Sequence, residues 1–220
     1  MVHGPCIMRK MEKMKFEQVK TVVKTMAKVA EDNEAYFSEL DGVMGDADFG
    51  VSLATGFRAV MNNWDKYDMT SIGSFLLGIT TAISGSTGGC SGPVWGTLFM
   101  RCGMSFRDKT ELTISEISAG LQNAIEGIMK RGGAHLGDKT LLDALDAIVK
   151  SLDQSAADGK SMNEALGAAA KAAYDTREVT KQWIAKRGRQ SFTGDRSIGT
   201  YDPGIVAIGD MAVAIAAALK

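Results

Sequence analysis

The stretch Thr140-Leu-Leu-Asp143-Ala-Leu-Asp-Ala-Ile-Val-Lys-Ser-Leu152 opens with a helix start signal and continues with a helical pattern. Thr140 and Asp143 have the spacing of a capping box, in which the hydroxyl binds a free backbone N–H group of the first turn and the acid reaches back. Apolar residues then recur at intervals of three and four, which places them on one face of an α-helix. The stretch therefore predicts a helix over about 139–153.

The same signals recur along most of the chain. Capping boxes also stand at Thr113-Ile-Ser-Glu116 and Ser161-Met-Asn-Glu164, and the sequence contains no alternating strand of useful length and no Asn-Gly hairpin signal. We therefore predict an all-α, single-domain bundle of eight helices, preceded by a flexible N-terminal extension over 1–13. The predicted helices cover 14–35, 48–64, 70–84, 92–106, 114–131, 139–153, 161–186 and 203–219.

Composition excludes several classes of protein. The 25 basic and 26 acidic residues leave a net charge of −1, which disfavours nucleic-acid binding. The three cysteines form no Cys-x-x-Cys pair, so neither a disulfide framework nor a zinc site is expected. The longest apolar stretch, 205–219, contains Gly209 and Asp210 and is shorter than the roughly 20 residues that span a bilayer. The N-terminus lacks the features of a signal peptide, so we expect a cytoplasmic protein with no membrane partner.

The segment Leu40-Asp41-Gly-Val-Met-Gly-Asp46-Ala-Asp48-Phe-Gly50 contains three carboxylates and three glycines. Clustered carboxylates repel one another unless a cation lies among them, and Mg²⁺ binds through carboxylates, waters and phosphates. An EF-hand is excluded, because the fifth position counted from Asp46 is Gly50 and the twelfth is Phe57. The alternative is a surface turn in which Asp48 caps the next helix, which explains one aspartate and leaves two unexplained. The chemistry favours a metal site.

A second segment, Ser84-Gly-Ser-Thr-Gly-Gly-Cys-Ser-Gly-Pro93-Val-Trp-Gly-Thr97, is rich in glycine and hydroxyl residues and ends where a helix begins. Free N–H groups at a helix N-terminus form a phosphate site. The segment has no P-loop pattern, and a flexible connection between closely packed helices explains it equally well.

Two further segments are candidates for function. Arg131 to Thr140 is a glycine-rich turn that leads into a capped helix, and its His135 alone is more typical of a loop residue than of a catalytic base. The irregular segment from Lys186 to Gly204 contains four basic residues near its start and middle. Loops of this length are usually functional lids or disordered, so the basic residues form either a polyphosphate clamp or a solvated surface.

Taken together, these segments resemble the nucleotide-binding L subunit of the dihydroxyacetone kinase family. That family carries L-D-x-x-x-G-D-x-D-H-G, G-G-A-S-G-P-x-x-G-T, G-D-K-T and G-R-A-S-Y-L-G-E-R-S-I-G-x-x-D-P-G. The corresponding segments here are 40–50, 88–97, 137–140 and 188–204, in the same order and covering most of the chain. The resemblance implies that residues 14–220 form one L domain, a barrel of eight antiparallel helices with its nucleotide site in the loops at one end.

The resemblance also implies a site and partners. Asp41, Asp46 and Asp48 would hold two Mg²⁺ ions, and Arg189 would stabilise phosphate charge. The residues implied to bind ADP or ATP are Phe49, Gly50, Val51, Ser52, Ser91, Gly92, Gly132, Thr140, Arg189, Asp202, Pro203 and Gly204. The implied function is phosphoryl transfer to dihydroxyacetone or a similar ketose held on a separate K subunit. A phosphoprotein M subunit of a phosphotransferase system would recharge the nucleotide, and a second copy of the chain is a further candidate partner.

Two residues depart from the family pattern, and several alternatives stay open. Phe49 replaces the histidine of the acidic motif, and Ser52 replaces an asparagine that follows it. Both positions are implied to lie beside the phosphates, so the ketose and the phosphoryl donor are open. An ATP-dependent subunit acting on a ketose such as erythrulose is one alternative. A module like that of fatty acid kinases and a nucleotide-loaded module that regulates a transcription factor are the others.

Overall fold

A computed structural model describes residues 12–220, so the predicted extension falls largely outside the described residues. Two two-residue strands, β1 (Met14–Lys15) and β2 (Glu111–Leu112), pair antiparallel, and 3₁₀ turns span Trp64–Lys66 and Arg189–Ser197. The α-helices within 12–220 are α1 (Phe16–Asp32), α2 (Glu34–Gly42), α3 (Phe49–Asn62), α4 (Ile72–Ser86), α5 (Ser91–Phe106), α6 (Ile114–Gly132), α7 (Leu141–Ala157), α8 (Met162–Thr180) and α9 (Pro203–Ala218).

Eight of these helices close into a ring. Helix α1 packs against α3, each helix from α3 to α8 packs against the next along the chain, and α9 packs back against α1. Five of the seven connections around the ring are nine residues or shorter, and such connections join antiparallel neighbours, so the helices alternate in direction. The ninth, α2, packs on α3 and α9. The expected barrel of eight antiparallel helices is confirmed.

The alternation in direction places every second connection at the same end of the barrel. The connections are 43–48 (the acidic loop), 87–90 (the glycine loop), 133–140 (the α6–α7 loop) and 181–202 (the α8–α9 segment). We call this end the loop end. The paired strands β1 and β2 and the turn after α7 lie at the opposite end. All the segments singled out in the sequence therefore meet at the loop end.

The ring encloses an apolar interior. Phe57 and Trp95 are fully buried and meet edge to face with ring centroids 5.6 Å apart. A cavity of about 200 Å³ lies between the helices and is lined by apolar side chains such as Val23, Leu98 and Ile208. Burial of this apolar surface is the main force that holds the ring together. Within the described part of the chain, no helix has the length and hydropathy to cross a membrane.

The capping boxes at Thr113, Thr140 and Ser161 are confirmed. Several helix boundaries differ from the prediction by two to six residues, among them the end of α7, which continues to Ala157 instead of 153. The helix predicted over 14–35 ends at Asp32, and Asn33 leaves the helical conformation with φ of −109° and ψ of 14°. A separate helix, α2, follows. The helix predicted to reach 186 ends at Thr180, since later carbonyls accept hydrogen bonds from outside α8. The Lys181 carbonyl accepts from the Gly199 N–H.

Candidate functional site at the loop end

Helix α2 and the acidic loop bring three carboxylates together. Asp41 lies buried in the last turn of α2, and Asp46 and Asp48 follow in the exposed loop. One oxygen from each residue lies within 4.8 Å of the others. The Asp41 carboxylate also accepts from the N–H groups of Asp48 at 3.1 Å and Phe49 at 3.4 Å, which folds the loop back onto α2. Carboxylate oxygens grouped in this way are a suitable donor set for a hard divalent cation.

The electrostatics of the cluster also favour a cation. Partial burial raises the pKa of Asp48, and the negative charges of Asp46 and Asp41 raise it further, while Arg189 lowers it. The cluster therefore resists carrying its full negative charge. Asp48 precedes α3 without a side-chain capping bond, so the alternative that Asp48 serves as a helix cap finds no support in the geometry.

Two glycines allow the close packing around the cluster. A Cβ atom on Gly45 would lie 2.3 Å from Asp41 Oδ1, and one on Gly50 would lie 2.0 Å from the Glu34 carbonyl oxygen. Any larger residue at either position would push the acidic loop away from α2. Gly45 and Gly50 are thus explained by steric contact with α2.

The first turn of α3 links the acidic loop to the glycine loop. The Phe49 ring packs edge to face against Phe37 of α2, with centroids 6.3 Å apart. Val51 is half exposed on the outer surface of the helix. A Cβ atom on Gly88 would lie 2.9 Å from Ser52 Oγ, so the Ser52 hydroxyl lies directly against the glycine loop.

Helix α5 begins at the end of the glycine loop. Cys90 precedes it and supplies no side-chain capping bond to the first turn, which contains Ser91 and Gly92. Gly92 lies tight against the preceding backbone, because a Cβ atom there would be 2.7 Å from the Thr87 carbonyl oxygen. A helix start without a side-chain cap leaves backbone N–H groups of the first turn free for an anionic ligand.

The α6–α7 loop lies next to the start of α9. Gly132 ends α6, and Thr140 caps α7 with its hydroxyl. A Cβ atom on Gly204 would lie 3.2 Å from that of Leu141, so the Asp202-Pro203-Gly204 turn packs beside the first residues of α7. His135 is exposed on the loop, in agreement with its interpretation as an ordinary loop residue.

Two arginines of the α8–α9 segment reach other loops. Arg189 Nη2 lies 2.7 Å from Asp46 Oδ2, so the segment contacts the carboxylate cluster directly. Arg187 Nε donates to Asp138 at 3.1 Å, and its terminal nitrogen donates to the Gly133 carbonyl. The segment therefore bridges the acidic loop and the α6–α7 loop.

Lys139 has a structural role that the sequence analysis did not predict. Its side chain is completely buried, and its Nζ donates to the carbonyls of Ser197 at 2.7 Å and Trp183 at 3.1 Å. Burial lowers the pKa of Lys139, and the charge of Asp202 partly offsets this effect. Lysine is rarely buried, so the sequence around Lys139 carries no local signal of this role.

Asp202 joins the α8–α9 segment to α9. Its Oδ1 accepts from the Ile205 N–H at 2.8 Å and caps α9, and its Oδ2 accepts from Gln190 Nε2 at 3.3 Å. Burial is the main reason that the pKa of Asp202 is raised to about 7. Asp202 therefore ties Gln190 of the α8–α9 segment to the first turn of α9.

Comparison with known proteins gives consistent matches over most of the chain. A family model described as the DAK2 domain matches residues 43–217. The chain is 35% identical over 185 residues to the PEP-dependent dihydroxyacetone kinase, ADP-binding subunit DhaL, of Escherichia coli (strain K12). This match covers 84% of this chain and 88% of that protein. It is also 35% identical to L-erythrulose 1-kinase of Mycolicibacterium smegmatis, over 83% of this chain and 32% of that protein.

A solved structure shares the fold. The crystal structure of the dihydroxyacetone kinase from C. freundii in complex with AMP-PNP and Mg²⁺ matches with a TM-score of 0.71 at 22% identity. The match covers 99% of this chain and 37% of that chain. The helical ring described above is therefore an arrangement known from experiment.

Proposed function

This chain belongs to the DAK2 domain family, and from that membership we propose that it is the nucleotide-binding, phosphoryl-transfer subunit of a dihydroxyacetone-type ketose kinase. The observation that carries the proposal is the cluster of Asp41, Asp46 and Asp48, which faces Arg189 at the end of the barrel where the helix starts meet. The chain passes phosphate from its nucleotide to a ketose that a separate K-type subunit holds, in the cytoplasm.

Asp41, Asp46 and Asp48 hold Mg²⁺, which we take to be two ions. The donor set fits, because it contains only carboxylate oxygens and because their mutual repulsion is relieved by a cation. Bound there, Mg²⁺ would supply neutralisation of the charge on the nucleotide phosphates. Gly45 and Gly50 keep the three carboxylates together by allowing the acidic loop to contact α2.

The other loop-end residues bind and orient the nucleotide. Ser91 and Gly92 offer backbone N–H groups to the phosphates, beside residues 49–52 at the start of α3. Gly132, Thr140 and the turn 202–204 complete the nucleoside pocket. Arg189 contributes positive charge to the phosphoryl group in transit, since phosphoryl transfer depends mainly on positioning and charge neutralisation.

The names of the relatives support two candidates for the donor and the ketose. The Escherichia coli relative is named as the ADP-binding subunit of a PEP-dependent kinase, which supports a retained ADP that a phosphoprotein recharges. The Mycolicibacterium smegmatis relative, at the same percentage identity, is named as an erythrulose kinase. A second candidate function is therefore an ATP-dependent subunit that acts on a four-carbon ketose.

A reconstituted assay separates these cases. The purified chain is combined with a K-type partner, and either a phosphoprotein or ATP is supplied with dihydroxyacetone or erythrulose. Tightly retained ADP and turnover only with the phosphoprotein support the first candidate, and turnover with ATP alone supports the second. If the chain shows no Mg²⁺-dependent binding of ADP or ATP in calorimetry, both are wrong.

A further inference from the structure

A polar groove lies on the outer surface of the barrel between α5 and α6. It has a volume of about 460 Å³, and the polar side chains that line it belong to Arg101, Ser105, Arg107, Glu116 and Asn123. Helix α5 begins at the loop end and runs away from it, so the groove lies towards the opposite end of the barrel. None of the predicted nucleotide or metal ligands lines it, and the groove is therefore separate from the candidate site described above.

Arg101 is a cation without a counter-charge. Its side chain lies against Gly127 of α6, where a Cβ atom would be 2.6 Å from Arg101 Nε. The Nε atom is buried and unpartnered, and the guanidinium group forms no ion pair or hydrogen bond within 12–220. The residue as a whole is only partly buried and lines the groove, so its terminal nitrogens are the atoms that a ligand can reach. A partly desolvated cation without a partner is unfavourable, and a bound anion would relieve it.

Arg107 adds a second unpaired cation to the groove. Its backbone has φ of 47° and ψ of −124°, a conformation that suits glycine and that other residues rarely adopt. The Arg107 carbonyl accepts from the Gly73 N–H at 2.9 Å, so α4 holds the residue in place. Its side chain is exposed and forms no ion pair or hydrogen bond in the described part of the chain.

The other polar residues of the groove do not offset this positive charge. Glu116 is the one carboxylate that lines the groove among the described residues, and it already pairs with Lys109 Nζ at 2.8 Å and accepts from the Thr113 N–H at 2.7 Å. Asn123 Nδ2 donates to Ser105 Oγ at 3.0 Å, which fixes the amide on the wall of the groove. The groove is therefore positively charged.

The size and chemistry of the groove define its ligand. Small-molecule sites have volumes of about 300–1,000 Å³, whereas a stable protein interface covers a much larger surface. The groove falls in the first class. Guanidinium groups donate hydrogen bonds and do not accept them, so the ligand must present acceptor oxygens. Phosphates and carboxylates present such oxygens together with the opposite charge.

We propose that the groove between α5 and α6 is a binding site for a small oxyanion, a metabolite that bears a phosphate or carboxylate group held by Arg101 and Arg107. The site does not depend on the proposed function, because it shares no residue with the loop end.

The experiment is an NMR titration of the isotope-labelled chain with inorganic phosphate and, separately, with succinate, at constant ionic strength. The wild-type chain is compared with Arg101→Gln and Arg107→Gln. Arg58→Gln is the matched control, because it removes the same charge from a partly exposed position on α3, outside the groove. Backbone amides of 101–107 and 116–123 report on the groove.

We expect at least one of the two anions to shift these amides saturably, with a dissociation constant of about 1–10 mM. Arg101→Gln should weaken that binding about tenfold, the effect of one charge-assisted hydrogen bond, and Arg107→Gln, whose side chain is exposed, about threefold. Arg58→Gln should bind as the wild-type chain does. Saturation by phosphate alone identifies a phosphate-bearing ligand, saturation by succinate alone a carboxylate-bearing one, and saturation by both an oxyanion of either kind.

Three results would overturn the proposal. The first is the absence of saturable shifts at the groove of the folded wild-type chain with either anion. The second is equal affinity in the wild-type chain and the folded groove variants, of which Arg107→Gln changes an exposed side chain and serves if Arg101→Gln does not fold. The third is an equal loss in Arg58→Gln, which would indicate general attraction to surface charge. All three leave the proposed function intact, which stands or falls on Mg²⁺-dependent nucleotide binding.

Discussion

Lys139 determines where the α8–α9 segment lies. Its buried ammonium group binds the carbonyls of Trp183 and Ser197, which are on either side of Arg189 in the sequence. The residue adopts a left-handed backbone conformation with φ of 61°, which a lysine rarely takes. These contacts hold Arg189 in reach of Asp46. The ammonium group of Lys139 thus fixes the distance between the α8–α9 segment and the acidic loop.

Replacing Lys139 with methionine should lower the free energy of unfolding by about 2–4 kcal/mol, because two carbonyls lose a charged donor. Amide hydrogen exchange over 183–200 should also become faster. Urea unfolding and exchange mass spectrometry measure the two effects. Lys150→Met is the control, since Lys150 is mostly exposed and its pair with Asp146 contributes little. Equal stability and exchange in both variants would contradict the assigned role of Lys139.

Asp46→Asn should weaken Mg²⁺-dependent ADP binding about tenfold or more, because the cluster loses one anionic ligand. The helices should persist, since Asp46 lies in a loop and its one ion pair within 12–220 is with Arg189. Titration calorimetry with and without Mg²⁺, together with circular dichroism, tests both points. Asp65→Asn, at an exposed site remote from the loop end, should bind like the wild-type chain. Unchanged affinity in Asp46→Asn would remove Asp46 from the metal site.

Asp202 should make stability depend on pH. Its pKa is about 7 in the folded chain, against about 3.9 for an aspartate in an unfolded chain. The folded state therefore holds the proton more tightly, so the stability contributed by this group is full below pH 4 and is lost as pH rises towards 7.

Asp202→Asn keeps the capping oxygen and removes this titration. From pH 4 to pH 7.5, the wild-type chain should lose roughly 2–4 kcal/mol relative to the variant in urea unfolding. A constant difference between the two proteins across this range would show that Asp202 does not titrate near neutrality.

At the scale of elements, α2 is a helix that local sequence signals do not predict. The long helices were predictable because their caps and apolar spacing are local signals, as in 140–152. Helix α2 has nine residues, and its position depends on Phe37, which is completely buried, and on packing against α3 and α9. Such contacts join residues far apart in the chain and leave no local pattern.

The residues of the candidate site also differ in whether a local sequence signal predicts them. Asp41, Asp46 and Asp48 were predicted together because they are close in sequence. The burial of Lys139 and Gln190 was not predicted, because both are polar and their burial depends on loops that meet only in the folded barrel.

Gly50→Ala should separate α2 from α3. The added methyl group would contact the Glu34 carbonyl, which is backbone and cannot move independently. We expect a loss of about 1–3 kcal/mol in stability and weaker Mg²⁺-dependent nucleotide binding. Chemical unfolding and calorimetry measure these effects.

The matched control is Gly167→Ala. Gly167 lies in α8 with no atom near its added Cβ, so alanine there should stabilise the chain by about 0.5–1 kcal/mol. If the two alanine variants behave alike, contact with α2 is not the reason for glycine at position 50.

At the scale of the whole molecule, the alternating ring separates two ends. All four loop-end connections meet because each helix runs opposite to its neighbours, whereas β1 and β2 lie at the other end. The sequence predicted the helices and their order, and the resemblance supplied the barrel. The contact between α1 and α9 has no local signal, since it joins the most distant helices in the chain.

That contact has a consequence for the connectivity of the polypeptide. Because α9 ends and α1 begins at the end of the barrel away from the acidic loop, a short peptide could join them without crossing any predicted ligand contact. New termini could then be opened between α7 and α8, at residues 158–160. Such a circular permutant would keep the same neighbours around the ring, so the order in which the helices are synthesised is separable from the geometry that binds the nucleotide.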